Sequence, residues 1–194
     1  EVSWVGRGSL GRDDGRVVLL RPGRELLRPV GPPDGVELPS GEIHERLRAY
    51  LGRRGACFYR ELFGASGARS DREALDALWD LVWAGEVTND TFAPLRALRW
   101  KRPAKDHRPR PGRLTALGPP EAAGRWSLVG DPDGEAAAAV PTRTERVHAQ
   151  AMALLERHGV LTREAVAGEA VDGGFSAVYL VLRALEEAGR IRRG

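Results

Sequence analysis

The chain repeats its own sequence pattern at an offset of 104 residues, and this repeat restricts the possible fold more than any other feature. Gly55 and Gly159 each follow a stretch with helical apolar spacing, and Gly85 and Gly189 each follow a later one. In both copies 30 residues separate the two glycines, and an apolar residue stands two positions after the second glycine. The repeat predicts the order helix, helix, helix, glycine, strand, twice along the chain.

That order is the plan of a winged helix-turn-helix, in which a strand after the third helix turns back as a hairpin. A generic three-helix bundle with the same leucine spacing is the alternative. We therefore expect an α+β fold that is mainly α. It should consist of tandem winged helix-turn-helix units with a partial β-barrel or irregular β segment.

The pattern divides the chain into four segments. Residues 1–39 are expected to form a wing-like β-hairpin and a Pro-rich connector, and residues 40–95 a winged-helix unit that Ser40 opens as a helix cap. Residues 96–141 are expected to be a basic irregular or β-barrel segment with a linker. Residues 142–194 are expected to be a second winged-helix unit that lacks its wing.

Composition excludes several classes of protein. No apolar run approaches the roughly 20 residues that cross a bilayer, so we expect no membrane association. Cys57 is the single cysteine and cannot form an internal disulfide, which favours a reducing compartment and predicts a cytoplasmic protein. The chain opens at Glu1 and its single methionine is Met152, so we expect it to be part of a longer protein.

One stretch concentrates positive charge. Residues 96–113 hold eight basic side chains against the single acid Asp106. We expect this stretch to bind single-stranded DNA by neutralising phosphates, with one tryptophan as a stacking platform. A solvated arginine-rich loop is the alternative. The candidate nucleic-acid-binding residues are Arg96, Arg99, Trp100, Lys101, Arg102 and Lys105.

The third helix of the first copy also carries two tryptophans. Trp79 and Trp83 are four residues apart, so they share a helical face that could stack on bases, close a subunit contact or pack against a neighbouring domain. Both third helices carry acids that phosphate would repel, so at least one is expected to be a packing element. Arg69 and Arg72, near the first of them, could still contact phosphate.

Catalytic and metal motifs are absent or incomplete. Residues 6–11 fit G-x-G-x-x-G, but a turn and a strand follow where a dinucleotide site needs a helix. His44-Glu45 begins like H-E-x-x-H, yet Arg48 occupies the second ligand position. No phosphate loop of the G-x-x-x-x-G-K-[ST] type occurs. We therefore expect no catalytic residue, metal site or cofactor in this segment.

Three stretches resemble the C-terminal module of the large helicase-related protein (Lhr) family, as found in actinobacteria. They are VSWVGRGSLGRDDGRVVLL, LVWAGEVTNDTFAPLRAL and GGFSAVYLVLRALEEAGRIRRG. The resemblance implies an accessory tail of an ATP-dependent DNA-repair helicase that moves 3′ to 5′ on single-stranded DNA. It further implies ATP and Mg in the parent protein. The implied partners are single-stranded DNA or a DNA/RNA hybrid, the remainder of the helicase chain, and further copies in a homo-oligomer.

The same tail resembles winged-helix DNA glycosylases, which implies base excision as an alternative function. Those enzymes use a Gln-x-Gln or Gln-x-Asp pattern to position water, and this chain has one glutamine, Gln150, followed by Ala-Met. Asn89-Asp90 is the one polar pair worth testing, because a buried carboxylate there could act as a general base. A turn at the edge of a wing strand is the plainer interpretation.

Overall fold

The computed structural model describes residues 2–11, 13–29, 31–32, 35–99, 118–130, 141–169, 171 and 173–194. The chain divides into two compact units. The first unit contains Glu1–Gly23 and Arg28–Ala138, and the second contains Arg24–Leu27 and Ala139–Gly194. No helix in the described part of the chain is long and apolar enough to cross a membrane. The boundaries predicted at residues 39, 95 and 141 stay predictions.

Three helices form the centre of the first unit. They are α1 (Glu42–Arg54), α2 (Tyr59–Ser66) and α3 (Asp71–Trp83). Ser70 opens α3, because its hydroxyl accepts the backbone N–H of Glu73. The cap predicted at Ser40 is wrong: Gly41 holds the N-cap position of α1 and makes no side-chain cap.

A small antiparallel sheet accompanies these helices. Strand β3 (Cys57–Phe58) lies between α1 and α2, and β4 (Val87–Asn89) follows α3. Strand β5 (Arg125–Leu128) lies between them in the order β3-β5-β4, with Val87 opposite Leu128 and Asn89 opposite Trp126. Since β5 pairs with β4, it acts as the returning strand of the wing. It therefore corrects the irregular or β-barrel prediction at residues 125–128, and the described strands form no closed barrel.

The predicted opening hairpin is present. It consists of β1 (Ser3–Gly11) and β2 (Asp14–Leu20), which pair antiparallel. The hairpin packs on the first unit. Trp4 is 1% exposed and its indole N–H donates to the carbonyl of Thr91, while the Thr88 hydroxyl donates to the carbonyl of Trp4.

The core of the first unit is centred on α3. Eight residues of this helix are buried, and its exposed residues are all charged: Asp71, Arg72, Glu73, Asp76 and Asp80. Trp79 stacks on Trp83 with ring centroids 5.3 Å apart and meets Trp126 edge-on at 5.6 Å. The backbone of Gly15, in the hairpin, lies directly against the Trp83 ring.

The second unit contains three helices with a smaller core. They are α5 (Arg143–His158), α6 (Arg163–Gly168) and α7 (Gly174–Glu187). Thr142 and Glu145 form a reciprocal capping box at the start of α5. The core consists of buried side chains from all three helices: Ala151, Leu154, Val166 and Val178.

The helix ends of the two units follow the 104-residue offset. Helices α1 and α5 end at Arg54 and His158, and α3 and α7 end at Trp83 and Glu187. The glycines also correspond. Gly55 and Gly159 both have φ 69°, and Gly85 and Gly189 have φ 81° and 70°. The matching backbone N–H groups of Gly85 and Gly189 donate to Val82 and Glu186, also 104 apart.

Candidate nucleic-acid interface

Helix α4 (Ala93–Arg99) carries the first two residues of the predicted binding stretch. Pro94 is buried, and Leu95 and Leu98 pack against the core of the first unit. Arg96 and Arg99 are three residues apart on the opposite side of the helix and are both exposed. Neither forms an ion pair within the described part of the chain.

The remaining members of that stretch are Trp100, Lys101, Arg102 and Lys105, and all four lie outside the described residues. The structure therefore neither brings them together nor separates them. Their role in binding stays a prediction.

Asn89 and Asp90, the polar pair considered as a catalytic candidate, are held by hydrogen bonds within the wing. The Asp90 carboxylate accepts the backbone N–H of Arg125 at 2.8 Å and its guanidinium at 3.0 Å. Asn89 is buried, donates to the carbonyl of Ala123 and accepts from Thr91. These contacts close the two ends of the insertion between β4 and β5, as expected for residues at the edge of a wing strand.

Helix α3 is a packing element. The rings of Trp79 and Trp83 are 6% and 7% exposed, so they contact neither bases nor a second subunit; they pack inside their own unit. Arg69 is exposed near the start of α3, and Arg72 lies 3.7 Å from the carboxylate of Asp76. The exposed side of α3 carries acids such as Asp76 and Asp80, which would repel phosphate, while its other residues pack in the core.

Sequence reasoning missed a second surface, on α7. Phe175 and Tyr179 contact each other with ring centroids 5.9 Å apart, and Tyr179 is 40% exposed. Arg163 lies over the Phe175 ring at 5.4 Å, and Arg193 lies over Tyr179 at 6.0 Å. The sequence signal was the four-residue spacing of the rings, but the same spacing also fits a buried core face.

The buried thiol and phenol of the first unit are inert. Burial raises the pKa of Cys57 to about 11, with the nearby Glu61 carboxylate adding to the rise. Burial also raises the pKa of Tyr59, whose hydroxyl donates to Asp71. Within the described residues, no group of three or more His, Cys, Asp or Glu side chains is placed to hold a metal ion.

The arrangement of the first unit, helix–strand–helix–helix–strand with a returning strand beside the last, is that of a winged-helix protein. In the second unit, residues 140–194 match the family model described as the winged-helix domain of large helicase-related protein. Both units are mainly helical, and the small sheets are antiparallel.

Two curated relatives match the whole chain. The "Lhr helicase/ probable uracil glycosylase" of Mycolicibacterium smegmatis is 40% identical over 209 residues, which cover 100% of this chain and 13% of the relative. The "Lhr helicase/uracil glycosylase" of Escherichia coli is 33% identical over 214 residues, again covering 100% and 13%. The chain belongs to the large helicase-related protein family. It spans about 13% of the length of these relatives.

Proposed function

We propose that this chain is an accessory nucleic-acid-binding and assembly module of an ATP-dependent 3′-to-5′ DNA-repair helicase. The observation that carries the proposal is the pair Arg96 and Arg99 on α4. Helix α4 packs on the core through Pro94, Leu95 and Leu98, so the backbone that carries the two exposed charges is held in place, and neither charge is paired within the described residues. Phosphate groups of single-stranded DNA or a DNA/RNA hybrid would neutralise them.

Binding of this kind is independent of sequence. Phosphate contacts position a strand without reading its bases, and the tryptophan that follows the helix would add a stacking platform. The proposed contact residues are Arg96, Arg99, Trp100, Lys101, Arg102 and Lys105.

The rest of the proposal concerns the intact protein. Because both relatives are named helicases and the chain spans about 13% of their length, ATP and Mg belong to other parts of the parent. We propose that the two units are tandem winged helices, which the matching helix ends support. The remainder of the helicase chain and further copies of this module are the proposed protein partners; concentration-dependent sedimentation tests self-association.

A salt titration of single-stranded DNA binding tests the proposed contacts. Fluorescence anisotropy with a labelled oligothymidylate should give log affinity that falls against log salt with a slope near −3, at about −0.7 for each of four to five phosphate contacts. Replacing Lys101, Arg102 and Lys105 with alanine should flatten the slope by about 2. Trp100→Ala should weaken binding at every salt concentration, because stacking is not ionic.

A matched control is available in the hairpin. Arg16 in β2 and Arg21 just after it are exposed and can be replaced together with glutamine, which removes the same net charge from a different element. Arg96→Gln with Arg99→Gln should reduce the slope by about 1.4, whereas the hairpin pair should leave it unchanged. Equal slopes for the two double variants would show that binding depends on net charge and not on this helix.

Base excision is the second candidate function, because both relatives carry uracil glycosylase in their names. The chain should then release uracil from an oligonucleotide, and alkali would break the strand at the abasic site. Asp90→Asn tests the one carboxylate considered for this role. The ion pair of Asp90 with Arg125 argues for a structural role, so we expect any strand cleavage by the wild type to persist in this variant.

A further inference from the structure

Helix α7 carries an alternating array of arginines and aromatic rings, which we call the α7 stacking face. It consists of Arg163, Phe175, Tyr179 and Arg193. The two rings lie 5.9 Å apart with 36° between their planes, and each ring has a guanidinium near it. The Tyr179 hydroxyl also accepts a hydrogen bond from Arg193 at 3.4 Å. The segment after α7 therefore folds back along the helix and holds the array in place.

The position on α3 equivalent to Tyr179 is buried, whereas Tyr179 itself is exposed. At the 104-residue offset Leu75 corresponds to Tyr179; Leu75 is 8% exposed and Tyr179 is 40% exposed. Next to Tyr179, Leu180 is 69% exposed, and its counterpart Asp76 is also exposed. Leu75 is thus buried in the first unit, whereas the equivalent Tyr179 of the second unit is available to a ligand.

The charges around the α7 stacking face fit a polyanion. Arg190 and Arg192 are exposed and form no ion pair within the described residues, and Arg163 is exposed beside the Phe175 ring. The acid Glu186 is bound by Arg193, with 3.0 Å between the charged atoms. A hydrophobic protein segment would leave Arg163, Arg190 and Arg192 without charged partners, whereas the phosphates of a nucleic acid would pair with them.

We propose that the α7 stacking face binds single-stranded nucleic acid, with a base stacked on the exposed ring of Tyr179 and phosphates held by Arg163 and by the neighbouring Arg190 and Arg192. The inference rests on the proposed nucleic-acid-binding function and assigns part of it to the second unit. A single strand is required because a base inside a duplex stacks on its neighbours and offers only its edges. Guanidinium planes stack on bases as aromatic rings do, so Arg193 beside Tyr179 can take part as well.

Replacing the exposed ring tests the proposal in the 194-residue chain. Anisotropy with labelled oligothymidylate should show that Tyr179→Ala weakens binding by roughly 5- to 150-fold, the effect of losing one stacked base. Tyr179→Phe should retain wild-type affinity, because the stacking ring remains. Leu180→Ala is the matched control: it removes a more exposed apolar side chain from the same helix and should leave affinity unchanged. Circular dichroism should show equal helix content in all three variants.

An oligomer in which abasic sites replace the thymidines separates stacking from charge. Wild-type protein should bind it more weakly than oligothymidylate, and Tyr179→Ala should bind the two oligomers equally. If the wild type binds oligothymidylate and Tyr179→Ala binds it equally well, the α7 stacking face is not a contact surface. In that case this inference is wrong, but the proposed function of the chain is not affected. If the wild type binds no single strand at any salt concentration, the proposed function fails with it.

Discussion

The docking of the opening hairpin on α3 can be tested by a single added methyl group. Gly6 lies in β1 where a Cβ atom would stand 2.0 Å from the backbone carbonyl oxygen of Val82 and 2.8 Å from its carbonyl carbon. Both contacting groups are backbone, so no side-chain rotation can relieve the clash. Gly6→Ala must therefore move the hairpin away from α3 by more than about 1 Å, since heavy atoms in contact normally lie about 3.5 Å apart.

The expected cost follows from what the hairpin buries. Overpacking a core typically costs about 1 to 3 kcal/mol. Moving the hairpin also loosens its three buried side chains, Trp4, Val5 and Leu20, each of which contributes about 1.5 to 3 kcal/mol when fully buried. Partial loss of that burial adds to the overpacking cost, so we expect the free energy of unfolding to fall by about 3 to 5 kcal/mol.

Urea unfolding followed by tryptophan fluorescence measures this cost in the first unit, because all five tryptophans fall within its residue range. Gly11→Ala is the control: Gly11 is in the same strand, and a Cβ there meets nothing within 4 Å. Its free energy of unfolding should stay within about 0.5 kcal/mol of the wild type. If Gly6→Ala and Gly11→Ala unfold at the same urea concentration, the hairpin does not dock on α3 through Gly6.

Three further predictions concern other residues. Leu78→Ala should lower the free energy of unfolding, measured in urea, by about 2 to 5 kcal/mol, because Leu78 is 0% exposed. Leu182→Ala should lower it by less, because Leu182 is only partly buried. Equal losses in the two variants would contradict this reasoning. A thiol reagent at pH 8 should not label Cys57 in the folded chain, since a pKa of about 11 leaves about one thiolate in a thousand; rapid labelling before unfolding would refute this. Hydrogen bonds from Arg157 and His158 lower the pKa of the Glu169 carboxyl below its usual value of 4.5. These bonds therefore stabilise the folded chain above pH 4.5, and this stability is lost as the pH falls through the lowered pKa of the folded state. Thermal melts between pH 5 and pH 3 should show a smaller loss for Glu169→Gln than for the wild type.

The helices and the opening hairpin could be predicted because local signals specify them. Gly55, Gly85, Gly159 and Gly189 all adopt positive φ at helix ends, a conformation that favours glycine over other residues. Apolar spacing then defines the helices between them, and these signals depend on neighbouring residues alone. The 104-residue offset therefore agrees with the observed helix ends.

The returning wing strand could not be predicted in this way. Strand β5 has four residues, and 35 residues separate it from the end of its partner β4. Its pairing depends on Trp126 lying opposite both Asn89 and Cys57, a contact that no local pattern encodes. The sequence pattern therefore predicts only irregular or barrel-like β structure for these four residues.

The two third helices show a related ambiguity between core and surface. Trp79 and Trp83 share a helical face, as do Phe175 and Tyr179, and both pairs have a spacing of four residues. The first pair is buried because Trp83 packs against the hairpin and Trp79 against Trp126 of β5, whereas Tyr179 of the other pair is exposed. The spacing specifies which side chains share a face but not what covers that face.

The 35 residues between β4 and β5 form an insertion whose ends are joined, because Asp90, its first residue, pairs with Arg125, the first residue of β5. The insertion also contributes to the core of the first unit, through Pro94, Leu95 and Leu98 on α4 and through Ala122. An engineer who exchanged it for a foreign sequence would therefore have to keep the closing pair and also supply apolar side chains where these core residues stand.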